Sequence, residues 1–310
     1  MGRHDRRRAQ PVALGRVAVD HPGAGAGDHR RLDLSRGRSP DRQPDRAEAA
    51  MTDRPLLSLQ QLAVTYPGAP LPALQGIDLR LAPREKLAVI GESGSGKSTL
   101  ARAIAGLLPG GSHVGGDLIW SGDTPVPGRD IGFVFQDPGG SLDPLLSIGA
   151  HLVEVLRTHL PLSPRAARDR AGDLLAQVRL PDPRAALEGY PHQFSGGQRQ
   201  RIAIALAIAA GPALLIADEA TSALDVLVQA EIVALLRDLA EARTMALIFV
   251  THDIGLAAQL ADRIAVLRNG RLQEIGPTAR VLAAPQAEYT RQLLAAHLDL
   301  SSPPLVEARG

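Results

Sequence analysis

The feature that most constrains the fold is the segment Gly91-Glu92-Ser93-Gly94-Ser95-Gly96-Lys97-Ser98, which satisfies the pattern Gly, four residues, Gly-Lys-Ser. The short apolar run 87–90 precedes it, and a helical stretch over 99–107 follows. Glycines let backbone N–H groups turn inward around phosphate oxygens, and the start of the following helix adds its dipole. The sequence therefore predicts a strand–loop–helix unit that binds phosphates. The residues expected at this loop are Gly91, Ser93, Gly94, Gly96, Lys97, Ser98 and Thr99.

Two side chains of this loop carry specific chemistry. Lys97 is expected to place a positive charge on the β- and γ-phosphates of a nucleotide, and the Ser98 hydroxyl to ligate Mg²⁺. The alternative is a glycine-rich turn with a chance lysine. Because Lys86 and Lys97 are the only lysines in the chain, that alternative is disfavoured.

The apolar pattern predicts an α/β fold. Four short, almost wholly apolar runs suit parallel strands that are covered on both faces, and helical spacing, as in 228–239, separates several of them. These runs are Leu87–Ile90, Ile131–Phe135, Ala213–Ala217 and Ala246–Val250. Nearer the start, residues 57–66 and 77–81 alternate like antiparallel strands. We therefore expect a P-loop NTPase core with a mostly parallel sheet, preceded by an N-terminal antiparallel β subdomain.

The block from about 141 to 210 has a different pattern. Leu145, Ile148, Leu152 and Leu156 keep helical spacing, as do residues 171–178, and no strand-like run interrupts them. This block is predicted to be a helical subdomain inserted into the α/β domain, ending in a helix over 198–210.

A pair of acids follows the third apolar run. Asp218 is placed to hold Mg²⁺ through its carboxylate, and Glu219 to orient or deprotonate an attacking water. Two acids at a strand end are equally well explained as a solvated turn when considered alone. Their combination with the loop at Gly91 favours a nucleotide site.

A second anion-binding helix start is predicted at Ser195-Gly196-Gly197-Gln198, ahead of a long helical stretch. An ordinary capped helix is the alternative. Two phosphate-binding helix starts about 100 residues apart are hard to reconcile with one nucleotide served by one chain. They are explained if two chains face each other and each completes the site of the other.

These segments, in this order, resemble the ATP-binding subunits of ABC transporters, whose signature is close to Leu-Ser-Gly-Gly-Gln; Phe194 stands here in the leucine position. The resemblance implies that Tyr66 stacks on adenine, that Gln136 ligates Mg²⁺ and flexes between subdomains, and that His252 senses the γ-phosphate. It also implies that Asp225 lies in a loop crossing the dimer interface. A core tyrosine and a structural histidine are the alternatives for the first and last of these.

Within that family, three segments resemble the importers of dipeptides, oligopeptides and nickel. They are 135–144, 190–193 and 281–294. Departures are Ala220 where many members have proline, Ala287-Glu288 where these importers have His-Pro, and the lack of a cysteine-bearing tail. An exporter ATPase and a soluble ABC ATPase of DNA repair or translation are the alternatives.

The resemblance implies ATP and Mg²⁺ as cofactors and a peripheral location on the cytoplasmic face of the cell membrane. The implied partners are two transmembrane permease subunits, a second, related ATPase subunit in a head-to-tail dimer and, indirectly, an extracytoplasmic solute-binding protein. No nucleic-acid partner and no metal other than Mg²⁺ is expected, because the basic first fifty residues lack aromatics and the other histidines lack ligand spacing.

The domain organisation follows from where the patterned sequence lies. One ATPase domain is expected over 51–300, with a tail at 301–310. Residues 1–50 hold 11 Arg against 7 acids without helical or strand periodicity, and are expected to be disordered or to be upstream sequence translated from a start site assigned too early. No uninterrupted run reaches the roughly 20 apolar residues that span a bilayer.

Overall fold

The structure is a computed structural model that describes residues 54–301, with side chains from 54 to 296. The extension expected over 1–50 lies outside the described residues, as does the tail beyond residue 301. Within this range, no helix is both long enough and apolar enough to cross a bilayer.

The strands of the described region form two sheets. They are β1 Leu57–Thr65, β2 Leu74–Leu81, β3 Lys86–Ile90, β4 His113–Trp120, β5 Ile131–Val134, β6 Leu214–Asp218, β7 Ala246–Val250, β8 Arg263–Arg268 and β9 Arg271–Pro277. The antiparallel sheet has the order β2-β1-β4, and the larger sheet has the order β5-β6-β7-β3-β8-β9. All neighbours in the larger sheet are parallel except β8 and β9. The predicted fold class is therefore confirmed.

The helices of the described region alternate with the parallel strands or group in the inserted block. They are α1 Lys97–Ala105, α2 Ile148–His159, α3 Pro164–Gln177, α4 Pro183–Ala186, α5 Gly196–Ala207, α6 Val226–Ala242, α7 Ile254–Leu260, α8 Thr278–Ala283 and α9 Glu288–Ser301. A 3₁₀ turn, Pro191–Gln193, precedes α5. Between β5 and β6 the described chain contains helices and turns but no strand.

Helix boundaries differ from the sequence expectations where a capping residue decides them. The helix predicted over 198–210 runs from Gly196 to Ala207. It begins two residues earlier than predicted because the Ser195 side chain caps it. Leu145, assigned by its spacing to a helix face, lies ahead of α2 and is 83% exposed. The true cap of α2 is Ser147, whose hydroxyl accepts the N–H of Ala150.

The parallel strands are buried on both faces. Every residue of β6 and β7 is buried. One large apolar cluster joins α2, α3, α5 and α6 to one face of this sheet, while another joins the antiparallel sheet and α1 to the other face. Complete burial explains why these strands read as continuous apolar runs rather than alternating ones.

Candidate functional site

The carboxyl ends of four neighbouring parallel strands place most of the predicted residues in one row. In the order β5-β6-β7-β3, Gln136 follows the first strand, Asp218 ends the second, His252 follows the third and Gly91 follows the fourth. Loops at the carboxyl ends of parallel strands converge on one edge of a sheet. The edge thus collects charged and polar groups that are far apart in the sequence.

The phosphate-loop candidate is an open turn between β3 and α1. Gly91 has φ 148, and a β-carbon there would lie 2.2 Å from the Leu267 carbonyl oxygen, so only glycine fits. Ser93 and Gly94 are exposed at the turn. Helix α1 begins after Gly96 without a side-chain cap. Its first N–H groups are therefore available to an anionic ligand.

The Lys97 ammonium is folded back into this loop. Lys97 is buried, and its Nζ donates to the carbonyl oxygens of Gly91 and Glu92, each at 2.9 Å. The Glu219 carboxylate lies 3.9 Å from the same nitrogen. Burial lowers the pKa of Lys97, while Glu219 and Asp218 oppose that shift. The positive charge is thus held inside the loop by weak partners that a phosphate can replace.

Ser98 and Asp218 form a second contact at the base of the loop. The Ser98 hydroxyl donates to Oδ1 of Asp218 at 2.8 Å. Burial raises the pKa of Asp218, an effect that the Ser98 bond and the charges of Arg102 and Lys97 reduce. A hydroxyl and a carboxylate at this separation, in a largely dehydrated position, are oxygen ligands of the type that Mg²⁺ prefers.

Glu219 is held in an unusual backbone conformation beside Gln136. Its φ is 48, which is uncommon for a residue other than glycine. Its N–H donates to the Val250 carbonyl at 3.0 Å. Gln136 Nε2 donates to the Glu219 carboxylate at 3.1 Å and to the Ser222 hydroxyl at 3.4 Å. The position of the Glu219 carboxylate is therefore fixed by residues at the ends of β5 and β7 and by the loop that contains Ser222.

The Ser222 hydroxyl was not singled out from the sequence as a site group. It lies between the Gln136 amide and the carbonyl oxygen of Glu219, to which it donates at 3.1 Å. Its position three residues after a candidate catalytic carboxylate, in a turn, is the sequence signal that could have indicated it.

His252 and Tyr66 flank this centre. His252 is exposed and lines a small pocket with Glu219, next to Thr251 at the end of β7. The Tyr66 hydroxyl is hydrogen-bonded to the hydroxyl of Thr99 at 3.1 Å. This places the tyrosine ring beside the first turn of α1, at the rim of the loop.

The signature residues form a separate group. Ser195 and Gln198 make a reciprocal capping box: the Ser195 hydroxyl accepts the Gln198 N–H at 3.3 Å, and Oε1 of Gln198 accepts the Ser195 N–H at 2.9 Å. Gly197 packs so closely on α6 that a β-carbon would lie 2.7 Å from Val228 Cγ1. Asp225 caps α6 by accepting the Val228 N–H at 3.0 Å.

The loop residues and the signature residues form separate sets of polar contacts. Within residues 54–296, neither a hydrogen bond nor an ion pair links Ser195, Gly196, Gly197, Gln198 or Asp225 to the groups around Lys97. The structure thus brings together the residues of the loop and the strand ends, and leaves the signature residues outside that set of polar contacts.

The sequence and the fold match known proteins. The ABC transporter family matches residues 74–222. The oligopeptide transport ATP-binding protein OppD of Bacillus subtilis is 41% identical over 261 residues, which cover 80% of this chain and 73% of that protein. The dipeptide transport ATP-binding protein DppD of the same organism is 40% identical, with 82% of this chain and 81% of that protein covered.

A similar match is found among solved structures. A dimeric ATP-binding cassette in a post-hydrolysis state, bound to ADP and Pi, is 30% identical with a TM-score of 0.62; 72% of this chain and 98% of that chain are covered. The match extends over nearly all of that chain.

Proposed function

The chain belongs to the ATP-binding proteins of the ABC transporter family, and from that premise we propose that it powers the import of peptides by hydrolysing ATP at the Gly91–Thr99 loop. The observation that carries the proposal is the convergence of Lys97, Ser98, Asp218 and Glu219 on the uncapped start of α1. Hydrolysis of a nucleoside triphosphate needs these groups in one place: backbone N–H donors and a cation for the phosphates, oxygen ligands for Mg²⁺, and a carboxylate that orients the attacking water.

We assign nucleotide binding to the loop and its rim. The triphosphate takes the N–H groups of residues 94–99, and Lys97 moves from the carbonyl oxygens of Gly91 and Glu92 to the phosphates. Tyr66 exchanges its hydrogen bond with Thr99 for stacking on the adenine ring. Both changes replace an intramolecular bond with a charge-assisted or stacking contact.

The Mg²⁺ site is assigned to Ser98, Asp218 and Gln136. The 2.8 Å contact between the Ser98 hydroxyl and the Asp218 carboxylate brings two oxygen ligands together, so the residues fit the ion. Bound there, Mg²⁺ would neutralise charge on the phosphates. Gln136 already reaches this centre through Glu219, and turning its side chain would present the amide oxygen instead of the nitrogen.

Hydrolysis is assigned to Glu219, with Gln136 and His252 as its partners. The strained backbone and the Gln136 amide orient the carboxylate toward the space in front of the loop, where it would orient or deprotonate a water. His252 lies in the same pocket and would respond to the γ-phosphate. These residues would position groups or transfer a proton, and neither task requires the strands to move.

The separate signature surface supports a head-to-tail dimer. The start of α5 presents backbone N–H groups at Gly196 and Gly197, but no contact joins it to the loop of its own chain. Beside it, the start of α6 exposes Val226 and Leu227, each 79% exposed, next to Asp225. A related ATPase subunit facing this surface would bury these side chains and receive the signature at its own nucleotide.

The permease contact is assigned to the inserted helices. A cavity of about 430 Å³ lies where α2 meets β5, with Phe135, Val155 and Leu206 among its lining residues. Leu145 is 83% exposed ahead of α2. Side chains of a cytoplasmic helix from one permease subunit would fit an apolar groove of this kind, and the second permease subunit would contact the facing ATPase subunit in the same way. This contact would place the chain peripherally on the cytoplasmic face of the membrane.

The substrate class follows the relatives. The compared proteins are named for oligopeptide and dipeptide transport, and we extend that class to this chain. Nickel is a second candidate, on sequence resemblance alone. Substrate choice would rest with the permeases and an extracytoplasmic solute-binding protein, because each site residue described here is assigned to the nucleotide, to Mg²⁺ or to the facing ATPase subunit.

The test is ATP hydrolysis by the assembled transporter in lipid vesicles, with peptide supplied through its solute-binding protein. We expect peptide to stimulate phosphate release, and Lys97→Ala in this chain to remove the stimulated activity. Stimulation by nickel and not by peptide would overturn the substrate class, while full activity of the Lys97 variant would overturn the assigned site.

A further inference from the structure

The end of the described chain folds back onto the phosphate loop. Tyr289, on the first turn of α9, is 5% exposed, and its hydroxyl oxygen accepts the backbone N–H of Glu92 at 3.3 Å. Glu92 directly follows Gly91, nearly 200 residues earlier in the chain. The contact joins the last described helix to the peptide that opens the loop.

That peptide is gripped from both sides. The N–H of Glu92 and the carbonyl of Gly91 belong to the same planar peptide unit. The Tyr289 hydroxyl accepts a hydrogen bond from the N–H outside the loop, while Lys97 Nζ donates one to the carbonyl oxygen from inside at 2.9 Å. Nucleotide binding would draw Lys97 away from this peptide unit and would leave Tyr289 in contact with it. The orientation of the unit would then depend on Tyr289.

Tyr289 itself is held firmly. The Arg268 guanidinium lies 4.5 Å from the centre of its ring. Burial raises the pKa of Tyr289, so the hydroxyl stays neutral. The ring also packs in the apolar cluster that contains Ile90, the last residue of β3.

The helix that carries Tyr289 is anchored to β9 by a buried acid. Glu274 is 8% exposed and accepts the backbone N–H groups of Gln286 and Ala287, at 3.0 Å each for the closest oxygens. Burial opposes the charge of Glu274, but these backbone hydrogen bonds outweigh it and lower its pKa. The start of α9 is thus fixed to the hairpin β8–β9.

The same hairpin supports the loop directly. The Gly270 N–H, in the turn between β8 and β9, donates to the Ser95 carbonyl at 2.9 Å, and the Leu267 carbonyl lies against Gly91. The hairpin and α9 together brace the outer side of the loop, at its first peptide and again at Ser95.

We propose that Tyr289 is a positioning residue for the nucleotide site, which keeps the Gly91–Glu92 peptide in place when Lys97 leaves it for the phosphates. The inference rests on the proposed function, because it supposes that ATP binds at this loop. Tyr289 does not touch the nucleotide in this account. It acts through the peptide, and its removal affects binding of ATP more than the chemical step.

The test compares two variants of the full chain that each remove one buried hydroxyl from α9. Tyr289→Phe removes the acceptor and keeps the ring on Arg268. Thr290→Val, one residue later and 0% exposed, removes a hydroxyl that has no hydrogen-bond partner among the described residues. The probe is a fluorescent N-methylanthraniloyl derivative of ATP with Mg²⁺, titrated into each protein, alongside thermal unfolding without nucleotide.

We expect Tyr289→Phe to weaken binding of the probe by about five-fold, as loss of one ordinary hydrogen bond would, with kcat in the assembled transporter unchanged. Thr290→Val should leave the affinity unchanged. Equal affinities of parent and Tyr289→Phe would overturn the inference alone, as would an equal loss in both variants. No binding by the parent would overturn the proposed function and the inference with it.

Discussion

At the scale of single residues, the site is a set of charged groups held apart from water and from their eventual ligands. Lys97 and Glu219 lie 3.9 Å apart, and Asp218 is buried beside Ser98. Each of these groups has protein partners that a nucleotide and Mg²⁺ would replace. Substitutions that keep the shape of a side chain and change only its charge or its affinity for a proton are therefore the clearest way to distinguish the roles of these residues.

Glu219→Gln should abolish turnover while ATP binding survives. The amide keeps the shape of the carboxylate but cannot take a proton from water, so we expect hydrolysis to fall by about 10²- to 10⁴-fold. Phosphate release with the partner subunit present measures the first effect, and equilibrium nucleotide binding the second. Glu241→Gln is the matched control, since Glu241 is 58% exposed and pairs only with Lys86. Equal ATPase rates in the Glu219 variant and the parent would remove Glu219 from the reaction.

Asp218→Asn should stabilise the nucleotide-free protein while removing Mg²⁺-dependent hydrolysis. Burial raises the folded-state pKa of Asp218, so its protonated form favours folding and this contribution is lost as pH rises through that pKa. At pH 7 the buried charge therefore costs stability, and the neutral amide avoids that cost. We expect a Tm gain of about 2–4 °C, typical of roughly 1 kcal/mol in a domain of this size.

The sign of that effect is checked by pH. The gain in Tm should shrink between pH 7 and pH 4, because Asp218 then approaches its protonated form in the parent as well. Asp169→Asn, at an exposed position of α3, is the control and should show no such gain at pH 7. A lower Tm for Asp218→Asn at pH 7, or a gain that does not depend on pH, would contradict the assigned burial cost.

At the scale of elements, helix starts do the positioning. Ser163 and Ser195 cap α3 and α5 in the same way, each hydroxyl accepting a backbone N–H three residues on, at 3.2 and 3.3 Å. The start of α5 differs in that the Gln198 side chain also caps it, and in that it is proposed to bind the nucleotide of another chain. Ser163→Ala is therefore a matched control for Ser195→Ala.

Both cap variants should lose a similar amount of stability. Removing a serine cap costs about 1 kcal/mol, because one N–H at the helix start loses its partner. Chemical denaturation of each nucleotide-free chain measures this. If Ser195→Ala lost several times more than Ser163→Ala, its effect on hydrolysis could be attributed to unfolding of α5 rather than to a lost nucleotide contact.

How far the elements could be predicted depends on whether local pattern or tertiary contact determines them. The parallel strands β3, β5, β6 and β7 were predicted because burial on both faces leaves continuous apolar runs. Strand β4 was not, because Gly115-Gly116 interrupts it and none of its residues is fully buried. The hairpin of β8 and β9 was also missed, although Asn269-Gly270 between two arginines is a recognised two-residue turn signal.

The same division applies to the site. The loop, the acids and the signature lie within short motifs, so they could be proposed as site residues from the sequence alone. The left-handed backbone of Glu219 and the bond from Tyr66 to Thr99 were not, because they depend on the meeting of distant strands and loops. The contact of Tyr289 with Glu92 spans 197 positions and has no local signal.

At the scale of the whole molecule, we propose that the fold presents one half of each of two sites. One surface carries the phosphate loop with Glu219, and a second carries the signature with Asp225 and exposed apolar residues of α6. No hydrogen bond or ion pair joins them within residues 54–296, and we propose that another chain completes the site around a nucleotide bound to one of them. Hydrolysis would then require closure of two subunits, which is how it would be coupled to the permeases.

The most direct test is to trap nucleotide in the assembled transporter with vanadate and a photoreactive azido-ATP, and to ask which ATPase chain carries the label. With Ser195→Ala in this chain, label should be lost from the partner chain and retained on this one, while Ser163→Ala should leave both labelled. Loss of label from this chain alone, with the partner still labelled, would contradict the account.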